Sequence, residues 1–477
     1  MTLDIVIMAA GKGTRMKSAR PKVLHTLAGR PLLQHVLDMG VSLGAERLIT
    51  ITGHGAELVE GAMRTALPAA PLAFVRQEPQ LGTGHAVQQA VPELPESGTT
   101  LILNGDTPLV KAETARALVE SCGGERLALL TVVLDNPTGY GRIVREGDAV
   151  RAIVEHKDAT PEQRQIREGY TGMMAVPTAH LKRWLAALKN DNVQKEYYLT
   201  DIVAMAVADG VPVVATLATG ETEVLGVNSP AQLADLERRF QRQQAETLME
   251  AGVRLMDPAR FDLRGQLSCG RDVSIDVNCL FEGTVTLGDD VAISANCVIR
   301  NATIAAGAVI HPFTHIDGDK EGASVGEGAL IGPFARLRPG ARLGKEVHIG
   351  NFVEVKNSTL ADGAKANHLA YLGDAVVGER VNYGAGSITA NYDGANKHRT
   401  TIEADVHIGS NCVLIAPVKI GAGATVGGGS TITRDVEPGR LSIARGRQTE
   451  IEGWNRPIKQ PKSHGGGHGG HHGGHKG

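Results

Sequence analysis

The chain reads as two architectures in series: an α/β domain with a mostly parallel sheet, then a parallel β-helix. Three observations carry this. Strand-like apolar runs alternate with helical stretches up to residue 228. One aliphatic residue returns every sixth position from Ile275 to Ile432. Between the two stands an amphipathic stretch opened by Ser229-Pro230. With 477 residues, there is chain enough for two domains.

The first strand is Asp4-Ile5-Val6-Ile7-Met8, followed by a Gly-rich turn and a helix beginning Pro31-Leu32-Leu33-Gln34-His35-Val36-Leu37. Further strands are expected at 47–52, 72–75, 100–103, 127–133 and 211–215. Ser229 before Pro230 is a good N-cap and N1 pair for a connecting helix. Its apolar side holds Leu233, Leu236, Phe240 and Leu248, with Arg238, Arg239 and Arg242 outward.

The hexad beat includes Ile275, Phe281, Leu287, Ile293 and Ile299, then Ile331, Leu337, Leu343 and Ile349, then Ile402, Ile408, Leu414, Ile420 and Val426. Neither a helix period of 3.6 nor a strand period of 2 gives that spacing. Three hexads make one coil, and coils stack at roughly 4.8 Å, so the span predicts about eight coils and roughly 40 Å of stacked sheet. The small inward site takes Cys279, Cys297 and Cys412, among others. The five cysteines show no C-x-x-C spacing and read as reduced core thiols. The aliphatic beat breaks after Thr389 and restarts at Ile402, which marks an inserted loop. From Ser463 the chain is Gly and His, a solvated tail or weak Ni²⁺ or Zn²⁺ chelator. The expected divisions are 1–228, 229–252, 253–457 and 458–477.

Net charge of −3 with 3% aromatic residues argues against a nucleic-acid partner. Met1-Thr2-Leu3-Asp4 lacks the basic start of a signal peptide, and no apolar run has membrane length, so a cytoplasmic protein with no membrane partner is expected.

The turn Met8-Ala9-Ala10-Gly11-Lys12-Gly13-Thr14-Arg15-Met16 fits neither G-x-G-x-x-G, because Met16 replaces the third glycine, nor the Walker A spacing. It is a loop of small residues whose backbone N–H groups, with Lys12 and Arg15, suit a triphosphate. This loop, Pro21-Lys22-Val23-Leu24, Gln77, Leu81-Gly82-Thr83-Gly84-His85, Gly105-Asp106, Tyr140-Gly141-Arg142, Glu155 and Gly226-Val227-Asn228 together resemble the sugar-phosphate nucleotidyltransferases. The repeats resemble the left-handed parallel β-helix of hexapeptide-repeat transferases. From residue 4 to about 457 the chain is similar to the bacterial bifunctional GlmU family.

That resemblance implies acetyl transfer from acetyl-CoA to glucosamine 1-phosphate, then uridylyl transfer from UTP with release of pyrophosphate, by a homotrimer using Mg²⁺. In the first site, Lys12, Arg15 and Lys22 would stabilise phosphates, and Asp106 and Asn228 would hold Mg²⁺. Met8, Ala9, Ala10, Gly11, Gln77, Gly82 and Thr83 would hold the nucleotide, while Asn104, Gly141, Glu155 and Tyr170 would face the sugar. Two positions depart from the family: Tyr170 stands where Asn is usual, and Asn104 where Tyr is usual. Both spare the phosphate and metal residues, so they should alter selectivity before reaction type.

In the second site His368 is the expected base, with Glu354 orienting its ring. Arg338 and Lys356 would bind the sugar phosphate, with Tyr371, Asn382 and Asn391 lining the pocket. The inserted loop, with Asn391 and Tyr392, would reach a neighbouring subunit and join Ala385, Ser410, Gly428 and Arg445 around acetyl-CoA. Gly428 replaces a usual Ala, and Lys397 would also meet coenzyme phosphates. Two alternatives stay open. One is a single-activity nucleotide-sugar pyrophosphorylase whose β-helix only oligomerises; the other is a non-catalytic assembly module.

Overall fold

The computed structural model describes residues 2–459. The Gly/His-rich tail expected over 458–477 lies, from residue 460 on, outside the described residues.

Continuous apolar runs make strands buried on both faces, and helices cover them. The strands are β1 (Leu3–Met8), β2 (Arg47–Thr52), β3 (Leu72–Arg76), β4 (Thr99–Asn104), β5 (Leu127–Val133), β6 (Gly141–Glu146), β7 (Ala149–Val154), β8 (Glu168–Pro177) and β9 (Val213–Leu217). Their order is β9-β5-β8-β4-β1-β2-β3. All neighbours on this path are parallel except β8, which runs antiparallel between β4 and β5. The hairpin β6–β7 joins β8 through Gly141 and Tyr170. Helices α1 (Leu32–Ser42), α2 (Ala56–Ala66) and α4 (Ala112–Cys122) follow β1, β2 and β4 in the chain; α3 (Thr83–Gln88), α5 (Thr178–Ala187) and α6 (Asp201–Ala208) complete the layers. Ile5 and Ile7 of β1 belong to one apolar layer and Val6 to the other, as a two-residue side-chain period requires.

Helix α7 (Pro230–Glu250) is the strut, and the Ser229 side chain accepts from Gln232 N–H as its cap. Leu236 packs with Met16, Leu27, Leu32 and Val227 of the first domain, and Glu237 accepts from Ala28 N–H at 2.8 Å. Four residues on, the buried Gln241 accepts from Leu263 N–H at 2.7 Å and donates to Leu263 O at 3.0 Å. One helix thus grips both domains.

The solenoid is longer than the hexad beat foretold. One face of the prism carries eleven strands, from Arg254–Leu255 to Leu441–Ser442, roughly 48 Å at a 4.8 Å spacing. The first coil escaped the pattern because its inward residues Leu255 and Leu263 stand eight apart and Cys269 takes the next inward place; the last escaped because Ser442 takes the register of Val426. The long strands Phe261–Cys269, Cys279–Leu287 and Val298–Ile304 merge the other two faces into one sheet of sixteen strands. The inward ladder Ile275, Ile293, Ile310, Ile331 and Ile349 stacks in register. Cys279, Cys297 and Cys412 are buried free thiols, as expected. Along one corner, Phe313, Phe334 and Phe352 are about half exposed, with ring centroids 4.9 and 5.4 Å apart. Leu369 continues the exposed row in the next coil. None of the described helices is long and apolar enough to cross a membrane.

Candidate active sites

The first site lies where the strand order reverses, outside the carboxyl ends of β1 and β4, the usual ligand position in such sheets. Met8 and Asn104 pair there. Gly13 in the following loop takes a left-handed backbone, φ 61°, and a Cβ on it would stand 2.7 Å from Lys22 Cβ. Glycine lets the loop lie directly on Lys22. Lys22 Nζ donates to Asp106 Oδ2 at 2.5 Å and to Asn228 Oδ1 at 3.1 Å. Val227 N–H donates to Asp106 O at 3.0 Å, which splices two segments remote in sequence. Two side-chain oxygens therefore converge on one cation.

A cleft of about 370 Å³ opens beside this cluster, walled by Met8, Ala9, Ala10, Gly11, Lys22, Gln77, Gly82, Thr83, Asn104 and Asp106. Gln77 is buried and donates to Gly82 O at 2.9 Å. Gly82 has φ 107°, and a Cβ there would meet Tyr197 O at 2.7 Å. Thr83 Oγ1 accepts from Leu199 N–H at 3.1 Å. The 77–83 loop is thereby fixed against the segment around residue 197. Two polar wall residues carried no sequence signal: Gln80, which donates to Ala10 O, and Glu196.

A second lobe of about 220 Å³ shares Met8, Thr83 and Asn104 with the first and adds Gly141, Glu155 and Tyr170. Glu155 accepts from Thr200 Oγ1 at 3.1 Å. Burial pushes its carboxyl above the usual range, against the pull of the Thr200 bond. Asn104 donates from Nδ2 to Thr171 O at 3.2 Å. Lys12 and Arg15 are exposed, and neither side chain has an ion pair among the described residues. Lys12 faces a neighbouring cavity with His54 and Arg76. The structure gathers Lys22, Asp106 and Asn228 and leaves Lys12 and Arg15 on the open rim.

The second site occupies one edge and one face of the β-helix. His368 stands in register with Asn351 one coil below, and its Nδ1 lies 3.0 Å from Asn351 Oδ1. An amide oxygen accepts only, so Nδ1 carries the proton and Nε2 keeps a lone pair. Glu354 does not orient this ring. It is drawn to Arg338 at 2.8 Å and Arg336 at 3.4 Å, across the face rather than toward the edge. Lys356 sits beside Arg338 and Lys397; burial first, then those two charges, hold its ammonium below the usual lysine range. Three cations so placed form an anion site. Lys397, expected at the coenzyme, stands here by the sugar-phosphate residues of its own chain.

Tyr371 lies across Gly373, and Asn382 is exposed one coil above Lys365. Asn391 is buried and donates to Asp374 Oδ2, pinning the inserted loop, while Tyr392 is exposed and donates to Gly394 O at 2.6 Å. Ala385, Ser410 and Gly428 follow His368 up the same edge, linked coil to coil by Gly386 N–H to His368 O, Asn411 N–H to Ala385 O and Gly429 N–H to Ser410 O. Arg445 completes the row, donating to Gly428 O. Four coil steps separate His368 from Arg445, roughly 19 Å of groove. A long thioester arm could lie along it with its carbonyl at His368 and its phosphates at Arg445.

Among the described residues no group of three His, Cys, Asp or Glu side chains could hold a metal. Any divalent cation would rest on Asp106 and Asn228 with substrate oxygens. The two oxygens already converge on the Lys22 ammonium, so the donor set fits a hard cation sharing phosphate ligands.

Residues 5–194 match the MobA-like NTP transferase domain, and residues 322–357 and 399–434 match the bacterial transferase hexapeptide (six repeats). The chain is similar to the bifunctional protein GlmU of Methylibium petroleiphilum, 77% identical over 462 residues that cover 96% of this chain and 100% of that one. The corresponding protein of Polaromonas naphthalenivorans is 71% identical, covering 96% and 98%. That of Cupriavidus metallidurans is 57% identical, covering 96% and 100%.

Proposed function

The chain belongs to the family of bifunctional GlmU proteins, enzymes with uridyltransferase and acetyltransferase activities, and from that premise we propose how its residues divide the work. The α/β domain, residues 1–228, makes UDP-N-acetylglucosamine from UTP and N-acetylglucosamine 1-phosphate. Residues 229–252 connect it to the acetyltransferase, 253–457, which supplies that sugar phosphate from acetyl-CoA and glucosamine 1-phosphate. The convergence of Lys22, Asp106 and Asn228 carries the first assignment.

Uridylyl transfer needs neutralised charge more than covalent help. An oxygen of the sugar phosphate attacks the α-phosphorus of UTP, and the bond to pyrophosphate breaks. Lys22 holds the α-phosphate, while Lys12 and Arg15 on the rim draw in and release the outer phosphates. Asp106 and Asn228 would hold Mg²⁺, which supplies charge neutralisation across the phosphates when bound. Gln77, Gly82 and Thr83 take the uracil edge, and Gly141, Glu155 and Tyr170 the sugar.

In the second site Arg338, Lys356 and Lys397 fix the phosphate of glucosamine 1-phosphate, with Tyr371 and Asn382 beside the ring. His368 Nε2 takes the ammonium proton, the amine attacks the thioester carbonyl, and the C–S bond breaks to free the coenzyme thiol. The His368–Asn351 pair and the cation cluster favour this over a β-helix that only oligomerises, because a scaffold needs neither. We read the assembly as a cytoplasmic homotrimer. The exposed row Phe313, Phe334, Phe352 and Leu369 beside His368 supports a subunit contact there.

Thiol release from acetyl-CoA, with and without glucosamine 1-phosphate, tests the second site. Release should require the sugar phosphate and vanish in His368→Ala, with uridylyl transfer intact. Loss of both activities in a folded His368→Ala protein would overturn the two-site division.

A further inference from the structure

Tyr170 stands opposite Gly141 where β8 meets the β6–β7 hairpin, on the wall of the sugar lobe. It is 7% exposed. Its ring packs in the apolar layer that holds Ile143, Ile153, Met174 and Leu199. Its hydroxyl has no hydrogen-bond partner among the described residues. Packing explains the ring but not the oxygen. A phenylalanine would fill the same space without burying an unpaired O–H, and an unpaired buried hydroxyl destabilises the free protein. The other unpartnered phenol, Tyr383, stacks inside the β-helix, away from either lobe of the cleft.

The neighbours of Tyr170 define what the hydroxyl can do. Burial raises its pKa well above the ordinary phenol value, and the nearby Glu155 carboxylate adds to the rise, so the group stays protonated and can donate. Glu155, on the same wall, is already engaged by Thr200 Oγ1. On the other flank Asn104 is tied to Thr171 O. Tyr170 is a wall side chain whose buried hydroxyl has a proton to give and no acceptor among the described residues.

We propose that the Tyr170 hydroxyl is a specificity-determining donor, left unpaired until the sugar phosphate binds and then satisfied by an acceptor oxygen on a ring substituent, either a hydroxyl or the acetamido carbonyl. This deepens, and rests on, the assignment of the cleft to N-acetylglucosamine 1-phosphate. Binding energy is gained twice over at this position, because the ligand adds a hydrogen bond and removes a buried defect.

Tyr170→Phe in the full-length protein removes the oxygen and keeps the ring. The variant should melt about 2–4 °C higher without ligand, the shift that relief of one buried unpaired hydroxyl gives a domain of this size. Its KM for N-acetylglucosamine 1-phosphate in uridylyl transfer should rise about tenfold, with KM for UTP and the acetyl-transfer rate unchanged. Glucose 1-phosphate as a parallel substrate separates the two acceptors. An equal penalty on both sugars supports a ring hydroxyl, and a penalty on the N-acetyl sugar alone supports the acetamido carbonyl. A higher melting temperature with no change in KM for either sugar overturns the proposal, and the phenol is then packing alone. A lower melting temperature overturns it as well, because the oxygen must then have a partner in the free protein. Failure of the unaltered protein to use either sugar phosphate would instead refute the assignment of the cleft.

Discussion

Acidification should loosen the junction between the first domain and the strut through a single imidazole. His35 of α1 is buried; its Nε2 lies 2.9 Å from Leu27 O, Arg30 lies 3.3 Å from Nδ1, and its ring meets Phe240 of α7 edge-on at 6.0 Å. Burial is the main reason its pKa falls from 6.5 to about 4, with the Arg30 charge adding to the fall and Leu27 O and Glu237 opposing it. The folded state therefore keeps the ring neutral where the unfolded chain would bind a proton. Stability from this group is complete above pH 6.5 and declines as pH falls toward 4. The gap of roughly 2.5 units corresponds to about 3 kcal/mol at 1.36 kcal/mol per unit. Urea unfolding of the α/β domain, followed at intervals from pH 7 to pH 4, should show a loss of that order. His35→Gln, whose amide nitrogen can take the place of Nε2 and donate to Leu27 O but cannot ionise, should flatten the curve by the same amount. Equal slopes in the two proteins would refute the assignment of the acid sensitivity to this ring.

Other expectations follow from the two sites. Asn351→Ala removes the acceptor 3.0 Å from His368 Nδ1; kcat for acetyl transfer should fall about tenfold as the ring loses its orientation, with KM for both substrates little changed. Lys356→Ala relieves repulsion from Arg338 and Lys397, so the KM for glucosamine 1-phosphate should rise about tenfold or more while thermal stability holds or improves. Gly82→Ala forces a side chain into a φ of 107° and toward Tyr197 O; uridylyl transfer should fall sharply, and the first domain should lose about 1–3 kcal/mol by denaturant titration. Acetyl transfer should be unaffected by that change.

The β-helix was readable because one coil repeats one pattern, so each inward Ile or Leu announces its neighbours. Its first coil was not, since the step from Leu255 to Leu263 is eight residues and Cys269 stands at the next inward place. The parallel half of the first domain showed itself in apolar runs such as Ile5-Val6-Ile7. Strand β8 did not, because Gly169, Thr171 and Gly172 interrupt its first half and the register shifts between Tyr170 and Met174. Lys22 was legible as a phosphate group, but its pairing with Asp106 and Asn228 depends on the Val227–Asp106 backbone bond, which only the folded sheet creates. The Asn351–His368 pair lay within reach of the repeat, since both residues occupy equivalent positions one coil apart. The nearer acidic residue, Glu354, drew the assignment instead. The corner phenylalanines fall between beats, in a left-handed backbone conformation that bulky side chains seldom adopt, so no periodicity advertised them.

A stack of parallel strands has two raw ends, and each is a template on which another such stack could grow. At the first end here, Gln241 of α7 meets Leu263 with both halves of its amide, giving and taking the bonds a further strand would have made. Ala245 and Leu248 of the same helix cover the apolar bore beneath it. With Gln244, which also donates to Leu263 O at 3.2 Å, Gln241 serves as a chain terminator in the polymer sense, closing the first coil to a strand from another molecule.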